Sequence, residues 1–151
     1  MWPFADSVKA GVGSVMASYN RVNNSMASQN AKLLNGLLKD ELDFQGFIMS
    51  DWQAQIGGVA SALAGLDMAM PGDGNDWADA KSLWGPELTK AVLNSSVPLE
   101  RLDDMVTRIL ASWFQLGQDR GYPKPNFSAW YKNTTGPVYF AAGEGPQAVM
   151  N

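Results

Sequence analysis

The chain has 151 residues and a formal net charge of −4, with 46% hydrophobic and 17% charged residues. This size allows one domain with a core, and it excludes disorder throughout and a complete eight-stranded α/β barrel, which needs about 250 residues. The acidic balance argues against nucleic acid, and no apolar run approaches the ~20 residues of a membrane span. Cysteine and histidine are absent, which excludes disulfides, zinc sites with Cys or His ligands, and His or Cys catalysis.

Strand-like segments alternate with helix-like segments along the chain, which is typical of βα units around a parallel sheet. The predicted strands cover residues 13–19, 47–49 and 67–70. The predicted helices cover residues 3–10, 31–42, 59–66 and 86–93, followed by a long helix from Pro98 to a stop at Gly117. The residues after this helix are predicted to be an extended tail. The pattern therefore indicates an α/β protein of about three βα units with a long terminal helix.

Apolar stripes predict which faces of two helices are buried. Asn30 is predicted to cap helix 31–42, whose stripe consists of Leu34, Leu37, Leu38 and Leu42. The stripe of the long helix consists of Leu99, Leu102, Met105, Val106, Ile109, Leu110 and Trp113. Both stripes recur at three-to-four spacing and are predicted to face a core.

Asp51 is the candidate functional residue that the pattern indicates first. It follows the strand 47–49, and the carboxyl ends of parallel strands are where α/β folds build active sites. The adjacent Trp52 offers a flat apolar face on which a sugar ring can stack. From residue types alone, a solvated Asp that caps the next helix is the commoner use of such a residue.

Three segments together resemble fungal β-glucosidases of glycoside hydrolase family 3. They are Met16-Ala17-Ser18-Tyr19-Asn20, Gly46-Phe47-Ile48-Met49-Ser50-Asp51-Trp52 and Leu66-Asp67-Met68-Ala69-Met70-Pro71-Gly72. The resemblance covers nearly the whole chain and implies the C-terminal part of a catalytic (β/α)8 barrel. It implies that residues 1–117 are a partial TIM barrel, the last three βα units, and that residues 118–151 are a linker or tail. A fragment, or an engineered variant that lacks Cys and His, fits this resemblance.

The resemblance also implies site residues. Asp51 matches the nucleophile of a retaining β-glucosidase, and Trp52, Tyr19 and Met16 match residues around the glucose ring. The alternatives are a core position for Met16 and strand-end packing for Tyr19. For Asp67 we favour a backbone-bonding role over catalysis.

Neither a cofactor nor a metal is expected. The acidic segment with Asp73, Asn75, Asp76 and Asp79 fails the calcium-loop pattern, because Ala78 stands where the central glycine is needed.

The parent family is secreted, and cellulose degradation and glycosylation are expected with it. Four sequons offer acceptors at Asn23, Asn94, Asn126 and Asn133. The first four residues show no signal-peptide pattern. The expected ligand is glucose or a β-glucoside, without nucleic acid or membrane as partner.

The departures from the family pattern indicate a catalytically incomplete chain. Ala17 and Ser28 stand where the family usually has a cysteine pair, and Ile56 stands where it often has histidine. The resemblance places the acid/base Glu and other substrate contacts outside this segment. The chain is therefore expected to be inactive or weakly active alone. The alternative is a non-catalytic fragment or engineered scaffold that associates with itself or with the missing barrel portion; a weak carbohydrate-binding module is a third hypothesis.

Overall fold

The computed structural model describes residues 1–72 and 82–122, together with the backbone of the short segments 135–137 and 146–148. The chain divides into two compact units, residues 1–116 and residues 117–151. The assignment of a partial barrel followed by a linker stays a prediction.

The described part of the first unit mixes helices and strands in the predicted order. Its α-helices are α1 (Trp2–Lys9), α2 (Val59–Ala64), α3 (Pro86–Leu93) and α4 (Leu99–Gln115). Its strands are β1 (Ser14–Ala17), β2 (Arg21–Val22), β3 (Ser25–Met26) and β4 (Phe47–Ser50). A 3₁₀ turn at Ala27–Gln29 leads into a π-helix at Lys32–Glu41. In the second unit, β5 (Thr135–Pro137) pairs antiparallel with β6 (Pro146–Ala148), where an extended tail was predicted.

The sheet of the first unit is parallel. Strand β1 pairs with β4 in the register Ser14↔Phe47 to Ala17↔Ser50. The third predicted strand, residues 67–70, is reduced to one parallel bridge between Met49 and Met68. The order is therefore β1, β4 and segment 67–70, which places the three carboxyl ends at one edge.

The helix predicted over residues 31–42 is present but is wound as a π-helix. Its end shows the i→i−5 bonding of this helix type, since the Leu42 amide donates to the Leu37 carbonyl at 3.1 Å. The predicted cap is confirmed: Asn30 Oδ1 accepts the Leu33 amide at 3.0 Å. The wider winding places Lys39 on the buried face five residues after Leu34, where the predicted stripe had only leucines.

The hairpin formed by β2 and β3 was not predicted. Its two turn residues, Asn23 and Asn24, have φ values of 49° and 67°, the left-handed conformations that two-residue hairpin turns require. An Asn-Asn pair between Val22 and Ser25 is a weak form of the usual Asn-Gly signal, and the strands of two residues each are too short for a periodic pattern.

The core lies between the sheet and the helices that surround it. Its buried hydrophobic side chains are Ala17, Leu34, Leu38, Phe44, Ile48, Ala62, Leu66, Trp84, Ala91, Val97 and Met105. Trp84 is buried with its one polar atom satisfied, because the indole Nε1 donates to the Gly58 carbonyl at 2.9 Å.

The predicted buried stripe of α4 is wrong for most of its length. Met105 is buried and Leu102 packs against the core, but Val106, Leu110 and Trp113 are exposed, the last to 38%. Beside Leu102 and Met105, the face of α4 that meets the fold carries polar residues, which are Arg101, Asp104, Arg108 and Ser112. The Arg108 Nη1 donates to the carbonyls of Phe44 and Gly46 at 2.8 and 3.0 Å, and the Ser112 hydroxyl donates to Gly13 O at 3.0 Å.

Asp67 is the centre of a buried ionic network. Its Oδ1 accepts Lys39 Nζ at 2.8 Å and Arg101 Nη2 at 2.7 Å, and its Oδ2 accepts the Ile48 amide at 2.8 Å. Arg101 also donates to the backbone carbonyls of Ala62 and Leu66. Burial lowers the pKa of Lys39 from its ordinary 10.5, an effect that the hydrogen bond and charge of Asp67 oppose. The expected backbone-bonding role of Asp67 is confirmed, and the two cations are additional.

We expect Asp67→Asn to lower the free energy of unfolding by about 3–5 kcal/mol, because it leaves two cations without their buried anion. Urea unfolding followed by tryptophan fluorescence measures the change. Asp103→Asn, at an exposed position on α4, is the matched control and should stay within about 0.5 kcal/mol of the unsubstituted chain. Equal midpoints for the two variants would contradict this account of Asp67.

Candidate active site

Asp51 lies at the carboxyl edge of the parallel strands, one residue beyond the end of β4. Its amide donates to the Ala17 carbonyl at 2.9 Å, which ties it to the end of β1. Asp51 is half-buried, whereas Trp52 and Tyr19 are 47% and 56% exposed. The fold therefore brings three of the four predicted site residues to one edge.

Tyr19 is joined to the loop that carries Asp51. Its hydroxyl donates to the Trp52 carbonyl at 2.8 Å. Partial desolvation, followed by the hydrogen bond and the negative charge of Asp51, raises the pKa of the Tyr19 phenol above its ordinary 10.0. A substrate contact of Tyr19 and its packing at the strand end both stay predictions.

The Asp51 side chain is held by its own loop. The Trp52 amide donates to Asp51 Oδ1 at 2.6 Å, and the Ala54 amide donates to the Asp51 carbonyl at 3.0 Å. The next helix, α2, has Gly58 at its N-cap. The alternative that Asp51 caps this helix is therefore wrong. The site therefore presents a half-buried carboxylate whose loop also carries the exposed Trp52 indole and accepts the Tyr19 hydroxyl.

Met16 lies apart from the other three residues. It is 57% exposed, so the alternative of a core position is wrong. Its side chain lines an apolar cavity of 310 Å³ between α1, β1 and the π-helix, together with Phe4 and Leu33, and that lining includes none of Asp51, Trp52 and Tyr19. A contact of Met16 with substrate stays a prediction.

Sequence reasoning missed the side chains that fix the Asp51 loop from outside. The buried Ser28 hydroxyl donates to the Ala54 carbonyl at 2.8 Å. The Ser50 hydroxyl accepts the Met70 amide at 2.8 Å, and Met70 O accepts the Gln53 amide at 2.7 Å. Small hydroxyl residues carry no periodic signal, so only the position of Ser50 before Asp51 could have pointed to it.

The remaining predicted sites are distributed over the surface or lie outside the described residues. Asn23 is exposed at the tip of the β2–β3 hairpin, and Asn94 is exposed after α3, where its Oδ1 accepts the Ser96 amide at 3.0 Å. Asn126, Asn133 and the acidic segment 73–79 lie outside the described residues. Within the described ranges, no three His, Cys, Asp or Glu side chains cluster as metal ligands, and no helix has the length and apolarity to cross a membrane.

Comparison with known proteins defines the class. Residues 1–112 match the family model described as the N-terminal domain of glycosyl hydrolase family 3, and the chain belongs to this family. Over 151 residues it is 60% identical to a probable beta-glucosidase F of Aspergillus flavus, covering 100% of this chain and 17% of the relative. It is 59% identical over 157 residues to a probable beta-glucosidase E of Neosartorya fischeri, covering 99% of this chain and 15% of that relative.

Solved structures agree with this assignment. A glycoside hydrolase family 3 beta-glucosidase from Neurospora crassa aligns with a TM-score of 0.82 at 53% identity over 99% of this chain and 18% of its own. A Chaetomium thermophilum beta-glucosidase aligns with a TM-score of 0.81 at 57% identity over 99% of this chain and 18% of its own. The predicted membership of glycoside hydrolase family 3 is confirmed, and the chain spans less than a fifth of the length of these relatives.

The proximity of Tyr19 to Asp51 predicts how the phenol titrates. We expect the pKa of Tyr19 to lie above the ordinary 10.0, because desolvation, and after it the hydrogen bond and charge of Asp51, disfavour the phenolate. Asp51→Asn should bring the midpoint down. Phenolate absorbance measured as the difference from Tyr19→Phe isolates this residue from the other tyrosines. Asp6→Asn, at an exposed position on α1, is the control and should leave the midpoint unchanged; an equal response to both Asp variants would contradict the proximity.

Proposed function

We propose that this chain is part of the catalytic domain of a retaining β-glucosidase and that Asp51 is its nucleophile. The observation that carries the proposal is a carboxylate at the carboxyl edge of the parallel strands, held by the Trp52 amide and faced by Tyr19. Its relatives are β-glucosidases, which sets the proposed substrate class as terminal β-glucosides.

Each site residue then has a defined role in a two-step displacement. Asp51 attacks the anomeric carbon to form a glycosyl ester while the aglycone oxygen leaves, and water later cleaves the ester to release glucose. The neutral Tyr19 hydroxyl donates to the Trp52 carbonyl and so holds the loop that carries the carboxylate. The exposed Trp52 indole packs against the apolar side of the sugar. Met16 is proposed to extend this contact from β1.

We assign the acid/base role to no residue of this chain. Glu87 lies on α3, where it is paired with Lys90 at 2.6 Å, and Glu144 lies outside the described residues. A retaining mechanism without its acid loses about 10²–10⁴-fold in rate, and lost substrate positioning adds to this. We therefore propose that the chain alone hydrolyses ordinary β-glucosides weakly or not at all. Secretion, glycosylation at Asn23 and Asn94, and a role in cellulose breakdown are proposed by analogy with the family.

A β-glucoside with a leaving group that departs without protonation tests the nucleophile separately from the acid. We expect dinitrophenyl 2-deoxy-2-fluoro-β-glucoside to label Asp51, because dinitrophenolate needs no acid and the fluorine slows hydrolysis of the ester. Mass spectrometry of the digested chain locates the added sugar. Asp51→Asn and the α-anomer of the probe are the controls. Absence of label, or labelling that persists in Asp51→Asn, would contradict the proposed role.

A second candidate function, self-association without catalysis, is favoured by the apolar surface of the first unit. On α4, Val106, Leu110 and Phe114 are 47%, 47% and 57% exposed, and Trp2 of α1 is 80% exposed. Within the described residues, β1 also has β4 as its one strand partner, so one edge can accept another strand. The occupant is either a second copy or the rest of a barrel.

Sedimentation velocity on the purified chain separates these occupants. We expect the chain to sediment as a dimer or larger species, and Leu110→Asp to shift it toward monomer because a carboxylate at the apolar contact is costly to desolvate. Thr107→Asp, at a neighbouring exposed position on α4, is the control. A monomer at all concentrations would contradict self-association and leave the rest of a barrel as the occupant.

A further inference from the structure

The hydrogen-bond ladder between β4 and segment 67–70 changes its pattern at Ser50. The ladder starts regularly: the Met68 amide donates to the Ile48 carbonyl at 3.0 Å, and the Ser50 amide donates to the Met68 carbonyl at 2.9 Å. Continued in the parallel pattern, the Met70 amide would donate to the backbone carbonyl of Ser50. It donates instead to the Ser50 hydroxyl oxygen at 2.8 Å. A side chain has taken the place of a backbone acceptor.

The next rung is displaced by one residue. In a regular ladder the Trp52 amide would donate to the Met70 carbonyl. That acceptor is shared by the Gln53 amide at 2.7 Å and the Ser50 hydroxyl at 3.4 Å, and Gln53 is in a left-handed conformation at φ 62°. The Trp52 amide donates to Asp51 Oδ1 at 2.6 Å instead. The Ala54 amide also donates to the Asp51 carbonyl at 3.0 Å, so residues 51–54 form a β-turn with Gln53 at its left-handed third position.

We propose that Ser50 is a positioning residue. Its hydroxyl accepts the Met70 amide in place of the Ser50 carbonyl, so the regular ladder ends one hydrogen bond early. The Trp52 amide then donates to the Asp51 carboxylate. Ser50 is 1% exposed, so water does not compete for its hydroxyl. The contribution of Ser50 to catalysis rests on the proposed function of Asp51, whereas its effect on the backbone hydrogen bonds does not.

Removing the hydroxyl predicts a specific rearrangement. In Ser50→Ala the half-buried Met70 amide loses its acceptor, and the regular parallel pattern offers it the backbone carbonyl of Ser50 instead. That bond restores the regular ladder and draws the Trp52 amide toward Met70 O, away from Asp51. A purely structural role would lower stability without redirecting the Trp52 amide.

The amide proton of Trp52 reports this change by NMR. In the unsubstituted chain we expect Asp51→Ala to move its chemical shift strongly, because the substitution removes the charged acceptor of this amide. Ser50→Ala should remove at least half of this movement. Ser50→Cys, which keeps the side chain small but offers a weak acceptor, should act in the same direction and serves if the alanine variant does not fold.

Ser61→Ala is the matched control, since Ser61 is 0% exposed and its hydroxyl has no hydrogen-bond partner within the described residues. It removes the same atom from an equally buried serine and should leave the Trp52 signal unchanged. Folded Ser50 variants in which Asp51→Ala still moves the Trp52 signal by the full amount would overturn the proposal. Labelling of Asp51 by the fluorinated glucoside is read separately. A failure to label refutes the nucleophile, while the NMR result alone decides the role of Ser50.

Discussion

The fold depends on one buried carboxylate. Asp67 binds two cations and a backbone amide, and these partners come from the π-helix, α4 and β4. A carboxylate with side-chain exposure of 0% is tolerated only because every partner is in place. Arg101 extends the contact to the carbonyls at the end of α2 and to Asp104, which in turn holds Arg108. The long helix is therefore attached to the sheet by polar groups where its apolar residues were expected to do so.

Segment 67–70 is secured to β4 by side chains at both of its ends. At the amino end Asp67 accepts the Ile48 amide, and at the carboxyl end Ser50 accepts the Met70 amide. A single backbone bridge, Met49–Met68, lies between them. The two ends serve different purposes, because the amino edge of a parallel sheet carries stability and the carboxyl edge carries the site. Only Met49 separates Ile48 from Ser50, so the ionic network and the Asp51 loop are attached to the same short strand.

Much of this fold could be predicted from the sequence, and the errors share a cause. The bounds of α3, Pro86–Leu93, and the strand before Asp51 were predicted closely, because Pro and short apolar runs are local signals. The apolar residues of α4 do lie along one face, but their periodicity shows only that this face is apolar and not whether other residues bury it. In a chain that spans 17% of the length of its relatives, part of that face is exposed. The burial of Lys39 was missed because π-winding changes which residues share a face.

The sequence could predict which residues form the candidate site, but not how their side chains are oriented. Asp51 and Trp52 stand out because a carboxylate and an indole directly follow a buried strand. The orientation of the Asp51 carboxylate depends on which oxygen of Ser50 accepts the Met70 amide. The hydroxyl oxygen accepts it in place of the carbonyl oxygen. No pattern of hydrophobicity or spacing distinguishes these two atoms of one residue. The displaced rung at Gln53 follows from that choice, and with it the bond from the Trp52 amide to Asp51. A reactive side chain can thus be recognised in a sequence, whereas its orientation depends on hydrogen bonds that form only when the strands are assembled.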